Sequence, residues 1–193
     1  MADAANEVRL ASVGDAEGIL AIYAPIVRDT SISFELELPT IEEMRGRIEA
    51  TLRRYPWLVY EAGGMICGYA YASRHRERAA YQWSADVSVY VAADVRRQGV
   101  ARRLYTPLLG ILEDLGCYSA LAGIALPNPA SVGLHEAMGF QPIGVYRNIG
   151  YKLGAWHDVG WWQRKLRDYA GQPEPPRTLP DDDGWRKRLQ AGE

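Results

Sequence analysis

Several kinds of protein are excluded by what this 193-residue chain has little of. It holds two isolated cysteines, Cys67 and Cys117, too few for a disulfide framework or a thiolate cluster, and both read as ordinary buried thiols. Its three histidines are scattered and give no metal-ligand spacing, so no metal is expected. No run approaches the ~20 apolar residues of a membrane span. The opening MADAANEVRL has no basic segment followed by an apolar one, as a secretory signal would, so the expected setting is cytoplasmic, with no membrane contact. Positive charge is not in excess either: 22 Lys+Arg stand against 24 Asp+Glu, a net charge of −2, which argues against a nucleic-acid partner. With 48% hydrophobic and 24% charged residues, what remains is one globular domain.

The stretch that organises the chain is 84–110, SADVSVYVAADVRRQGVARRLYTPLLG. Strand alternation from Trp83 puts Ala85, Val87, Val89 and Val91 on one face and Ser84, Asp86, Ser88 and Tyr90 on the other. From Val100 the apolar residues Leu104, Leu108, Leu112 and Leu115 follow at helical spacing, predicting a helix from about Gln98 to Leu115 with Gly116 beyond its end. Pro107 within it predicts a kink or bulge near Arg103. The loop between strand and helix carries Arg96, Arg97 and Gly99 at a helix N-terminus, where free N–H groups and partial positive charge suit a phosphate or pyrophosphate. Neither G-x-x-x-x-G-K-[ST] nor G-x-G-x-x-G is present, so the P-loop and Rossmann readings lack their residues.

Arg96-Arg97-Gln98-Gly99-Val100-Ala101 resembles the [QR]-x-x-G-x-[GA] loop of the GCN5-related N-acetyltransferases. The resemblance extends to the phosphinothricin acetyltransferase branch through Ser31-Ile32-Ser33-Phe34, Tyr55-Pro56-Trp57-Leu58-Val59, Tyr81-Gln82-Trp83, Ser88-Val89-Tyr90-Val91, Leu126-Pro127-Asn128, Leu134–Phe140 and Trp156–Gly160, in the family's order across about residues 7–167. It implies an α/β fold with a mixed, mainly antiparallel twisted sheet flanked by helices, acetyl-CoA as cosubstrate and a small-molecule amine as acceptor.

Around this stretch, periodicity predicts a strand at Val8–Ala11, a helix over Asp15–Val27, a polar loop over Thr30–Pro39 and a hairpin of Trp57–Glu61 with Met65–Ser73 about Gly63-Gly64. Thr40-Ile41-Glu42-Glu43 fits a capping box opening a helix to about Arg53. A strand spans 81–93 and another Tyr118–Ala125; Asn128 then caps a short helix with Pro129 at its first position. Phe140–Tyr151 and Trp156–Lys165 complete the strands, leaving a single domain over 7–167. Residues 168–193, rich in proline and charge, read as a poorly ordered extension, with Trp185 able to dock.

Acetyl transfer to an amine needs the amine neutral, a place for the oxyanion and a proton for the leaving thiolate. Asp86 is the candidate base, directly or through water; the resembled branch has Glu there. His135 stands where that branch has His, with two roles open, general acid or partner of the CoA sulfur, and Asn128 and Ser131 match alongside it. The resemblance assigns backbone groups of Val89, Tyr90 and Val91 to the oxyanion and the cofactor, and Phe34, Arg76, Arg78 and Tyr81 to the acceptor. Guanidinium groups favour an acceptor with an anionic end. His157 and Asp158, adjacent on a strand, point to opposite faces and read as structural. The aromatic strand Trp156–Trp162 and the resembled branch imply a homodimer. Rival readings are a protein N-terminus, polyamine or aminoglycoside as acceptor, or a noncatalytic acyl-CoA-binding sensor.

Overall fold

The structure is a computed structural model that describes residues 6–181 and 183–190. Seven strands form one sheet: β1 (Glu7–Leu10), β2 (Trp57–Ala62), β3 (Met65–Arg74), β4 (Ser84–Val91), β5 (Ser119–Leu126), β6 (Gln141–Lys152) and β7 (Ala155–Lys165), in the order β1-β2-β3-β4-β5-β7-β6. Every pairing is antiparallel except β4 with β5. This is the mixed, mainly antiparallel sheet that the resemblance implies.

Helices cover both faces, which is why β2 opens on an unbroken apolar run, WLVY, rather than an alternating one. Trp57 and Val59 meet α1 (Ala16–Asp29) and α2 (Ile41–Leu52) through Ile19, Ile26 and Ile48. Leu58 and Tyr60 join the other core with Leu104, Leu108 and Leu112 of α3 (Val100–Asp114). The α2 start is the expected capping box: the Glu43 N–H donates to the Thr40 hydroxyl and the Thr40 N–H to the Glu43 carboxylate, at 3.2 and 2.7 Å. Asn128 caps α4 (Pro129–Ala137) by accepting from the Ser131 N–H.

Some boundaries differ from those read in the sequence. Residues 79–81 make a short 3-10 turn, so β4 starts at Ser84. The main helix starts at Val100, because Gly99 precedes it at φ +83°, outside helical space. α3 runs through Pro107 as continuous α-helix, without interruption at Arg103. The described part of the extension lies against the body rather than apart from it. Leu179 is buried in the α3-side core, the Trp83 indole donates to the Glu174 carbonyl, and α5 (Trp185–Gln190) pairs Arg188 with Asp114 of α3 through two 2.7 Å bonds. Among the described residues no helix is long and apolar enough to cross a membrane, and no group of His, Cys, Asp and Glu could hold a metal ion.

Candidate active site

The site is set by the one parallel pairing in the sheet. β4 stays paired with β3 as far as Val91, yet it pairs with β5 only over Ser84–Asp86. Beyond Asp86 the two strands part, and their backbone groups facing the gap have no strand partner. Val87–Tyr90 and Ala122–Ala125 line this gap, closed off by Tyr105, Asn128, Ser131 and His135.

Alternation decides which side chains flank it. Asp86, Ser88 and Tyr90 share the sheet face covered by α1, where Tyr90 is locked between Tyr23 and Tyr69 at ring distances of 5.3 and 5.1 Å. At the near end of that face Asp86, its side chain 27% exposed, lies 2.7 Å from Nδ1 of His75. Burial raises the Asp86 carboxyl above its usual range, with the His75 bond opposing. Tyr81 meets the His75 ring edge-on at 6.0 Å and Trp161 of β7 does so at 5.9 Å. The Arg76 guanidinium sits 5.8 Å from the Trp161 ring and reaches the Tyr146 hydroxyl at 3.5 Å. Arg78 is exposed at the start of the 3-10 turn and makes none of these contacts.

Phe34 approaches this face from the 30–39 loop and is fixed by β6. Its ring packs so closely over Gly150 that a β-carbon there would clash with Cε2 of Phe34 unless the ring moved, so glycine suits the position. The buried Lys152 ammonium donates to the Ser33 carbonyl at 2.6 Å and clamps the same loop. His157 holds the Lys152 carbonyl and Asp158 binds Arg147, so the two neighbours do separate structural work.

On the opposite face His135 is 3% exposed. Its Nδ1 lies 2.8 Å from the Ser131 carbonyl, which only accepts, so Nδ1 carries the hydrogen and Nε2 accepts from the Tyr105 hydroxyl at 3.0 Å. Burial lowers the His135 pKa and raises that of Tyr105, which keeps the imidazole neutral and the phenol protonated.

At the far end of β4, Arg96 reaches back to the Val91 carbonyl and Gln98 to that of Asp94, at 3.4 and 3.3 Å. Arg97 at φ +63° and Gly99 at φ +83° turn the chain into α3, whose N-terminus no side chain caps. A non-glycine residue in left-handed backbone costs roughly 1–2 kcal/mol, and such strain gathers at ligand clamps. Free N–H groups, two loop arginines and exposed backbone at Gly99 fit a pyrophosphate.

The structure thus brings Asp86, Arg76, Tyr81 and Phe34 to one face, His135, Ser131 and Asn128 to the other, and Arg96–Ala101 to the end of the gap. Sequence reasoning missed His75, Tyr105, Lys152 and the placing of Trp161. The sequence carried a weak signal for one of these: Tyr105 falls one residue after the core position Leu104.

Comparison with known proteins bears on the chain and its fold as a whole. The acetyltransferase (GNAT) domain profile matches residues 8–161. The chain is similar to the phosphinothricin N-acetyltransferase of Streptomyces viridochromogenes, with 40% identity over 90% of this chain and 92% of that protein. It is 31% identical to an L-methionine sulfoximine/L-methionine sulfone acetyltransferase of Pseudomonas paraeruginosa, over 90% of this chain and 98% of the relative. A solved phosphinothricin acetyltransferase from Sinorhizobium meliloti, in complex with acetyl-CoA, superposes with a TM-score of 0.84 at 32% identity, covering 88% of this chain and 93% of that one.

Proposed function

Because this chain belongs to the GNAT acetyltransferase family and is an acetyl-CoA-dependent acyltransferase, we propose that it acetylates the amino group of a small, amino-acid-like acceptor of the phosphinothricin or methionine sulfoximine/sulfone type, by direct attack in a ternary complex. The observation that carries this reading is the parting of β4 and β5, with an acid–base group on each face: Asp86 on one, Tyr105 and His135 on the other.

Acetyl-CoA supplies the activated acetyl group. Arg96, Arg97, Gln98, Gly99, Val100 and Ala101 hold its pyrophosphate at the uncapped α3 start. Asn128 and Ser131 border its arm, and the N–H groups of Val89 and Val91, which alternate onto the side of β4 without a strand partner, donate to the thioester oxygen, while Tyr90 between them turns its N–H to β3 and lines the gap. Asp86 belongs to the group that takes the acceptor's proton, directly or through an intermediary. On the other face the Tyr105 hydroxyl rests on His135 Nε2 and turns to give its one proton to the thiolate: its O–H bond breaks, the S–H bond forms, and the phenolate regains a proton from solvent. No cysteine lines the gap, and burial pushes the Cys117 thiol up to about 11, so no thiolate stands ready to take the acetyl group first; this favours direct attack.

Phe34 and Tyr81 wall the acceptor, with Arg76 meeting its anionic end and Arg78 at the rim. We assign the protein to the cytoplasm and infer a homodimer. β6 is a sheet edge that exposes Ile143, Val145, Ile149 and Tyr151, with Trp156 beside them on β7, and an apolar edge of this kind invites pairing. Light scattering that returned only monomer would remove the dimer.

Acceptor-dependent CoA release across amino-acid analogues, polyamines, aminoglycosides and N-terminal peptides tests the function. An amino-acid analogue with an anionic end is expected to turn over best. A polycation as best acceptor would overturn the acceptor class, and CoA-ester binding with no turnover on any amine would leave a sensor.

A further inference from the structure

His75 is the first residue beyond β3, and the ladder that sets Ser73 opposite Asp86 brings its ring to the Asp86 side of the sheet. Its Nδ1 lies 2.7 Å from Asp86 Oδ1, and its side chain is only 13% exposed, held edge-on by Tyr81 and Trp161. An ionised carboxylate only accepts, so with Asp86 charged Nδ1 carries the hydrogen and the lone pair sits on Nε2. The groups around the ring are few. Asp86 faces it from β4 and Tyr81 from the 3-10 turn; Arg76 sits beside it between Trp161 of β7 and Tyr146 of β6, and Arg74 is engaged with Glu77. One carboxylate paired with one imidazole is an arrangement that, in hydrolases, makes the imidazole a base and the carboxylate its orienting partner.

The chemistry favours the same division of labour. A substrate ammonium must lose a proton near neutral pH, a task to which an imidazole is the ordinary side chain matched. The Asp86 carboxyl, though raised by burial, is already engaged as the acceptor of the His75 bond. We propose that His75 is the catalytic proton acceptor for the incoming ammonium and that Asp86 is its positioning residue, an assignment that rests on the acetyl-transfer reading above. The N–H bond of the ammonium breaks, its electron pair stays on the substrate nitrogen, and the Nε2 lone pair of His75 takes the proton. The resulting imidazolium is balanced by Asp86 and returns its proton to solvent after the free amine has attacked.

The test is steady-state kinetics of His75→Gln and His75→Ala against pH, with the best acceptor from the amine panel, alongside thermal melts and acetyl-CoA affinity by calorimetry. Both variants are expected to lose about 10²- to 10⁴-fold in kcat/KM for the acceptor while binding acetyl-CoA within about twofold of wild type. The acid limb of the wild-type profile should shift in His75→Gln, and added imidazole should restore His75→Ala at least about tenfold. Wild-type kcat/KM with an unmoved acid limb in both variants would overturn the proposal. So would a lowered rate that keeps the wild-type limb and ignores imidazole, since that is the signature of lost packing. A wild-type enzyme that releases CoA with no amine fails the acetyl-transfer reading itself; wild-type turnover with indifferent His75 variants fails only this inference.

Discussion

His75 and His135 flank the same parting of strands and are bonded in opposite ways. His135 is buried, its ring bonded by Ser131 on one side and Tyr105 on the other, so both nitrogens are used and no charged group bonds to it. His75 is partly open and its one bonded partner is a carboxylate. Burial among neutral partners holds His135 against protonation, while His75 spends one ring nitrogen on a carboxylate and keeps the other for a proton. In the mechanism proposed above, the difference fits two successive events: His75 would take the ammonium proton on one face, and a neutral pair on the other would keep a hydroxyl proton at hand.

The sharpest way to break this contrast is to remove the charge that defines the first pair. Asp86→Asn leaves the ring a neighbour of similar shape with no negative charge, so kcat is expected to fall roughly 10²- to 10⁴-fold with acetyl-CoA affinity nearly unchanged. An Asn variant with near wild-type turnover and the wild-type pH profile would make the carboxylate a structural part and dissolve the distinction between the faces.

How much of the site was legible depended on how local its causes are. The Arg96–Ala101 loop, the Thr40 capping box and the Asn128-Pro129 helix start are written within a few consecutive residues, and each stands where the spacing puts it. The helix start slipped to Val100 because a positive φ at Gly99 leaves no trace in periodicity. His75 was absorbed into a basic run, since its partner Asp86 is 11 positions away and meets it only through the β3–β4 register. Lys152 and Ser33 are 119 positions apart, joined by a fold that no local pattern encodes. The extension was judged by its prolines and charges, but Leu179 and the Arg188–Asp114 pair hold it to the body.

A smaller effect is expected on the second face. Tyr105→Phe deletes the hydroxyl that donates to His135 and leaves Nε2 buried without a partner, a change that costs about 1–3 kcal/mol. Urea unfolding measures that loss, and the same variant tests the proton store, since kcat should fall less than in Asp86→Asn. A Phe variant as stable and as fast as wild type would mean that the Tyr105–His135 bond neither holds the fold nor serves the thiolate.

The smallest effect separates the faces by sign. Burial lowers the His135 pKa, so below the unfolded value of about 6.5 the unfolded chain binds the extra proton first. Stability contributed here is present above about pH 6.5 and is lost as pH falls toward the folded-state value. Asp86 is raised, so above the unfolded carboxyl value of about 3.9 the folded chain holds its proton longer, and stability is lost as pH rises through the folded pKa. The two slopes have opposite signs, Asp86 acting upward from about pH 3.9 and His135 downward from about pH 6.5. His135→Gln removes one slope and Asp86→Asn the other, each changing the gradient by at most ~1.4 kcal/mol per pH unit, the limit for a single proton. Stability measured in urea at about pH 4, 5, 6 and 7 should show the deficit of His135→Gln shrinking as pH falls, while Asp86→Asn gains on wild type as pH rises. Difference curves of the same sign for both variants would mean that the two faces do not carry opposed burdens, and the contrast between the histidines would rest on hydrogen bonding alone.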